Sequence, residues 1–140
     1  MAGVKCQPMK RIQQKSEAKA DCGIACVAMV TESKYLDALK LLQQHEKNGE
    51  YYTDHEQLMT AIVQLNYSAE QKKFEGFRRI TGRAIVATNQ RQDGGWHWVV
   101  INSEIVAKAF IYDPKPNRKG KITDFRGLKG FGDYIQVSST

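Results

Sequence analysis

Apolar positions along this chain change their spacing once, near Asn66. Upstream they recur at helical intervals. Cys22 to Val30 (CGIACVAMV) is almost continuously apolar and rich in small residues, which predicts a first helix over that span. Gly23, Ala25 and Ala28 would let it lie close against a neighbour. A second helix is expected from Lys34 to Gln44, where Tyr35, Leu39 and Leu42 form a stripe that Leu36 and Leu41 widen. Asn48-Gly49 is a turn signal. Thr53 followed by Glu56 matches a capping box, with Thr53 as N-cap. Leu58, Ala61, Ile62 and Leu65 then form one face of a third helix.

Downstream, shorter runs read as strands: Arg83 to Thr88, Trp96 to Asn102, Lys108 to Tyr112, Lys121 to Asp124 and Tyr134 to Ser138, several of them separated by glycine-containing turns. Helices first and an antiparallel sheet second make an α+β fold. The 140 residues read as a single domain spanning 1–140, with 1–13 polar and loosely ordered.

Charge and cysteine content narrow the class. The net charge is +6 and the pI about 9.3. The basic residues are scattered (Lys10-Arg11, Lys72-Lys73, Arg78-Arg79, Arg118-Lys119, Lys121), which reads first as a solvated surface and second as an attraction to RNA or an acidic partner. No signal peptide and no apolar run of membrane-spanning length is present, so a cytoplasmic protein without membrane contact is expected. Three cysteines, Cys6, Cys22 and Cys26, do not make a disulfide framework. His45, His55 and His97 are not at ligand spacing with them, so no metal and no cofactor is expected.

The chemistry concentrates in two segments. Asp21 precedes Cys22 at the first turn of the predicted first helix, where an N-cap satisfies backbone N–H groups. The partial positive charge of that terminus favours an anion on sulfur, and a thiolate is the nucleophilic form. Far downstream, His97 opens an apolar strand within Trp96-His97-Trp98-Val99-Val100-Ile101, and Ile111-Tyr112-Asp113-Pro114 closes the next. Positions 97 and 113 are symmetric about residue 105, so a hairpin centred there would set His97 opposite Asp113 on one face. Cys22, His97 and Asp113 are thus a nucleophile, a base and an orienting carboxylate. Each also has a plain reading: a small core residue, a half-buried ring and a turn opening. Trp96 and Trp98 flank His97 as cleft walls or core packing.

These segments, Asp21-Cys22-Gly23-Ile24-Ala25-Cys26-Val27-Ala28-Met29, Trp96 to Ile101 and Ile111 to Pro114, resemble the bacteriocin-processing, double-glycine leader peptidases. The resemblance runs from Gln14 to the C-terminus. It implies a papain-like cysteine peptidase fold, with Cys22 as nucleophile, His97 as general base and acid, and Asp113 orienting it. It also implies a glutamine shortly before the cysteine, whose amide helps form the oxyanion hole. Ser16 stands where that glutamine is expected. Gln14, with Glu17 to Ala20 looped out, is the candidate ahead of Gln13.

Such peptidases usually front an export transporter, and a chain ending at Thr140 reads as a free-standing copy. Three functions are therefore open. The first is a cysteine peptidase or related amide hydrolase acting on a peptide or protein, including an effector or toxin domain with an immunity or inhibitor partner. The second is a metal-independent ribonuclease acting on RNA or tRNA through the basic surface. The third is a binding module that kept the scaffold, since fold alone does not settle reaction.

Overall fold

The computed structural model describes residues 9–16, 19–103, 109–116, 121–122 and 127–139. Three helices come first: α1 (Cys22–Val30), α2 (Tyr35–Leu42), extended by a 3₁₀ turn at Gln43–His45, and α3 (His55–Gln64). The strands are β1 (Tyr67–Lys73), β2 (Gly82–Thr88), β3 (His97–Ser103), β4 (Phe110–Tyr112), β5 (Lys121–Ile122) and β6 (Gly130–Ser139). They form a six-stranded sheet in the order β1-β6-β2-β3-β4-β5, each described pair antiparallel. This is the expected α+β arrangement of helices packed on an antiparallel sheet.

The central helix α1 has no polar face because it needs none. All nine of its residues are buried, between α2 and α3 on one side and the sheet on the other. It rests on the sheet face that carries Ile85 and Ala87 of β2, Trp98 and Val100 of β3, and Ile135 and Val137 of β6. The alternate residues Ala84, Val86, Val99, Ile101, Ile111 and Tyr134 point to the other face, where Phe77 and Ile80 pack with them. β2 and β3 are therefore buried on both faces, which explains their continuous apolar character.

Several local expectations are corrected. The α3 capping box is one residue later than predicted: Asp54, not Thr53, is the N-cap, and Gln57, not Glu56, returns the bond to the Asp54 backbone N–H. Asp21 occupies the α1 N-cap position, but its side chain makes no capping bond. β1 was not expected at all; its sequence YSAEQKK lies at the sheet edge, half-buried only at Tyr67 and Ala69. It has a single neighbour, β6, which begins at Gly130 rather than Tyr134. In the N-terminal segment, Met9 is buried in the core, and Arg11 is bonded to the segment after β4. Residues 104–108, 123–124 and Cys6, which enter the expected hairpin turn, the ends of two strands and the cysteine count, lie outside the described residues.

Candidate functional site

Cys22 is the first residue of α1 and is held beside the end of the sheet where β3 begins with His97. Both line a cleft of about 740 Å³, together with Gln14, Thr53, Trp96 and Asp113. The close packing of α1 at this point depends on Gly23. A Cβ there would stand 2.4 Å from Thr53 Oγ1 and 3.2 Å from both Leu58 and Trp98.

His97 Nε2 lies 2.6 Å from Asp113 Oδ1, a short charge-assisted bond. Asp113 is 3% exposed, and the same oxygen accepts the Lys115 N–H at 2.9 Å. The pairing is not the one the hairpin arithmetic gave. The β3–β4 ladder sets Val100 against Tyr112 and Ile101 against Ile111. Continued by one residue, it brings Asp113 level with Val99, so His97 and Asp113 meet across a diagonal, still on one face.

The imidazole's charge state follows from three neighbours. Burial alone would lower the His97 pKa. The hydrogen bond to Asp113 and the hydrogen bond and charge of Cys22 outweigh it and lift the group to about 9. With Nε2 engaged by Asp113, Nδ1 is the nitrogen left for the thiol. The second thiol on the helix, Cys26, is fully buried; burial first, then Cys22 and Asp113, push it well above the ordinary range and leave it a core group.

The N-terminal segment completes the site. Gln14 is 3% exposed and lines the cleft, whereas Gln13 is exposed outside it. The Gln14 backbone N–H donates to the Pro114 carbonyl at 2.8 Å. Arg11 Nε donates to the Asp113 carbonyl and Arg11 Nη2 to the Lys115 carbonyl, each at 2.9 Å. Residues 11–14 thus run beside the segment that carries the carboxylate and bind it by its backbone. Sequence reasoning missed Arg11, which counted there only as surface charge. Nothing in an isolated arginine codon marks a partner more than one hundred positions away.

Trp96 and Trp98 meet edge to face at 5.5 Å. His55 packs its edge against Trp98 at 4.9 Å, and its Nε2 bonds the Asp133 carbonyl at 2.7 Å. Trp98 belongs to the core, Trp96 is half-buried, and both reach the cleft wall. Among the described residues, no helix is long and apolar enough to cross a membrane.

Residues 9–128 match the model of the peptidase C39 family. The chain is similar in fold to the peptidase domain of Streptococcus ComA, described as a bi-functional ABC transporter involved in a quorum sensing pathway. That likeness has 18% identity and a TM-score of 0.70, covering 95% of this chain and 100% of that one. It is also similar to a double glycine motif protease from an AMS/PCAT transporter, solved in complex with the leader peptide. Here the identity is 19% and the TM-score 0.68, covering 95% and 93% of the two chains. The peptidase domain of Streptococcus mutans ComA aligns at 20% identity and a TM-score of 0.60, over 92% of this chain and 98% of that one. No curated protein matches the chain in sequence.

Proposed function

The chain belongs to the peptidase C39 family of cysteine peptidases, and from that premise we propose that it cleaves a leader-type peptide at a double-glycine motif, using Cys22, His97, Asp113 and Gln14. The observation that carries the reading is the position of His97, with Asp113 at 2.6 Å on Nε2 and the Cys22 thiol interacting with the same ring, all within one cleft. The substrate class is supported by the similar protease of double glycine motif specificity.

In this mechanism the proton of Cys22 passes to His97, and the thiolate so formed attacks the scissile carbonyl carbon. The carbonyl π electrons move to oxygen, and the tetrahedral oxyanion is met by the Cys22 backbone N–H and the Gln14 amide. Collapse breaks the C–N bond as His97 gives its proton to the leaving amine. A water molecule, deprotonated by His97, then attacks the thioester and releases the acid and the thiol. Asp113 keeps the ring oriented and supports its charged form throughout.

A ribonuclease would need free cations converging on phosphate, and the cleft does not favour it. Among the described residues, two basic ones line the cleft: Arg91, paired with Asp93 at 3.4 Å, and Lys115, whose backbone is bonded to Asp113 and Arg11. The decisive experiment incubates a synthetic peptide containing one Gly-Gly pair with the wild type, Cys22→Ala and His97→Ala. Mass spectrometry should find two fragments cut after the second glycine with the wild type alone. An uncut peptide with the wild type, or equal cutting by Cys22→Ala, overturns the proposal.

A further inference from the structure

Beside the nucleophile stands a buried carboxylate that the mechanism above leaves without a role. Asp21 is 0% exposed. Its Oδ2 accepts the Lys15 backbone N–H and the Tyr35 hydroxyl, each at 2.6 Å. Its Oδ1 accepts the Gln14 side-chain amide at 3.2 Å and the Ser16 backbone N–H at 3.4 Å. The carboxylate is therefore gripped from two directions, by the 14–16 segment and by the residue that opens α2. Burial first, and then the bond to Asp21, push the Tyr35 phenol above its ordinary range, so it remains a donor.

What this grip controls is the roll of one amide. Gln14 Nε2 faces Asp21, while Oε1 is buried and meets no partner. A half-turn about the last side-chain bond would set Oε1 against the Asp21 carboxylate, acceptor against acceptor. Asp21 thus decides which end of the amide carries the donors. The second amide hydrogen goes to the neutral Ser16 carbonyl at 3.3 Å, a weaker acceptor than the carboxylate. It is the one that can transfer to a stronger acceptor when negative charge develops in the cleft.

We infer that Asp21, braced by Tyr35, is a positioning residue that fixes the roll of the Gln14 amide and so supplies an N–H donor to the oxyanion. The inference rests on the peptidase reading of the same site. A role in plain stability would be insensitive to whether Gln14 is present; a role through Gln14 vanishes without it.

The experiment is a double-mutant cycle of Tyr35→Phe and Gln14→Ala, read by Gly-Gly peptide cleavage and by the iodoacetamide alkylation rate of Cys22. Alkylation occurs at a saturated carbon and forms no oxyanion, so it reports the thiolate without the hole. Tyr35→Phe should lower kcat about tenfold, part of the hundredfold or more that one oxyanion donor supplies. KM and the alkylation rate should stay within about twofold, since neither forms an oxyanion. In the Gln14→Ala background the same change should have no further effect. Equal loss in both backgrounds, or a parallel loss of alkylation, overturns the inference. Should Tyr35→Phe fail to fold, Asp21→Asn, which keeps the shape but brings an amide to face an amide, serves in the same cycle with the same expected outcomes. A wild type that is alkylated at Cys22 yet leaves the peptide intact would instead sink the peptidase reading, and this inference with it.

Discussion

His97 and Asp113 are joined across a diagonal of the β3–β4 ladder, at 2.6 Å, and not as register partners. The diagonal leaves the carboxylate just beyond the last paired residue of β4, Tyr112, where it also accepts the Lys115 N–H. An orienting group placed on a strand end is held by its loop, so the loop's own bonds become part of the site.

Asp113→Asn should therefore keep the fold and lose most of the activity. An amide in place of the carboxylate can accept from the ring but no longer supports its charge. A reduction in kcat/KM of roughly 100-fold or more is expected, within the range that acid–base positioning supplies. Steady-state cleavage of the Gly-Gly peptide measures it, and near-normal turnover would remove Asp113 from the mechanism.

The pH dependence follows from the sign of the His97 shift. Its pKa in the folded protein, about 9, lies above the value near 6.5 of an unfolded histidine. The stability that the charged ring contributes is therefore complete below about pH 6.5 and is lost as pH rises through about 9. The activity should share that alkaline limb, because neutral His97 cannot protonate the leaving amine. In Asp113→Asn the His97 titration midpoint, followed by NMR, should fall. An unchanged midpoint would show that Asp113 does not support the imidazolium.

Two cysteines on one helix should differ sharply towards an alkylating reagent. Cys22 faces the cleft and His97; Cys26 is sealed in the core, with burial pushing its thiol up. Brief iodoacetamide treatment of the native protein, followed by peptide mass mapping, should label Cys22 and leave Cys26 intact. Labelling should weaken at least several-fold in His97→Ala, which removes the base that makes the thiolate.

How much of this was legible in the sequence depends on the range of the interaction. The bounds of α1 and the identities of Cys22, His97 and Asp113 rest on local pattern, and the structure brings the three into one cleft. The α3 cap slipped by one because Thr53 and Asp54 are both good caps, and tertiary packing chose between them; Thr53 is buried against Gly23 instead. β1 was invisible because an edge strand with one neighbour needs little apolar surface, and YSAEQKK offers little. Asp21 looked like a helix cap because caps and buried acceptors share the same residue type. Only its partners, Tyr35 and the 14–16 segment, tell the two apart.

Arg11 makes the N-terminal segment a support for the site. Its two bonds to the Asp113 and Lys115 carbonyls tie the start of the chain to the segment bearing the carboxylate. Arg11→Ala should cost about 1–3 kcal/mol in urea unfolding, the range for charge-assisted bonds left unmade. Because the backbone of Asp113 is then freer, kcat should fall several-fold, while a Lys10→Ala control at the exposed neighbour changes neither.

Gly23 gives the sharpest steric test of how the nucleophile is seated. Adding a single methyl group would bring carbon to 2.4 Å from Thr53 Oγ1 and to 3.2 Å from Leu58 and Trp98. Leu58 and Trp98 are core side chains with little room to retreat, so α1 itself must shift at its first turn. Overpacking of this kind costs about 1–3 kcal/mol. The shift would also carry Cys22 away from His97, so Gly23→Ala should lose activity out of proportion to its stability. Thr53→Ser in the same background keeps the hydroxyl and removes a methyl, while Thr53→Gly removes the Oγ1 that the new methyl strikes. Recovery of turnover with Thr53→Gly but not with Thr53→Ser would trace the fault to that contact. Recovery with neither would place it in the Leu58–Trp98 wall.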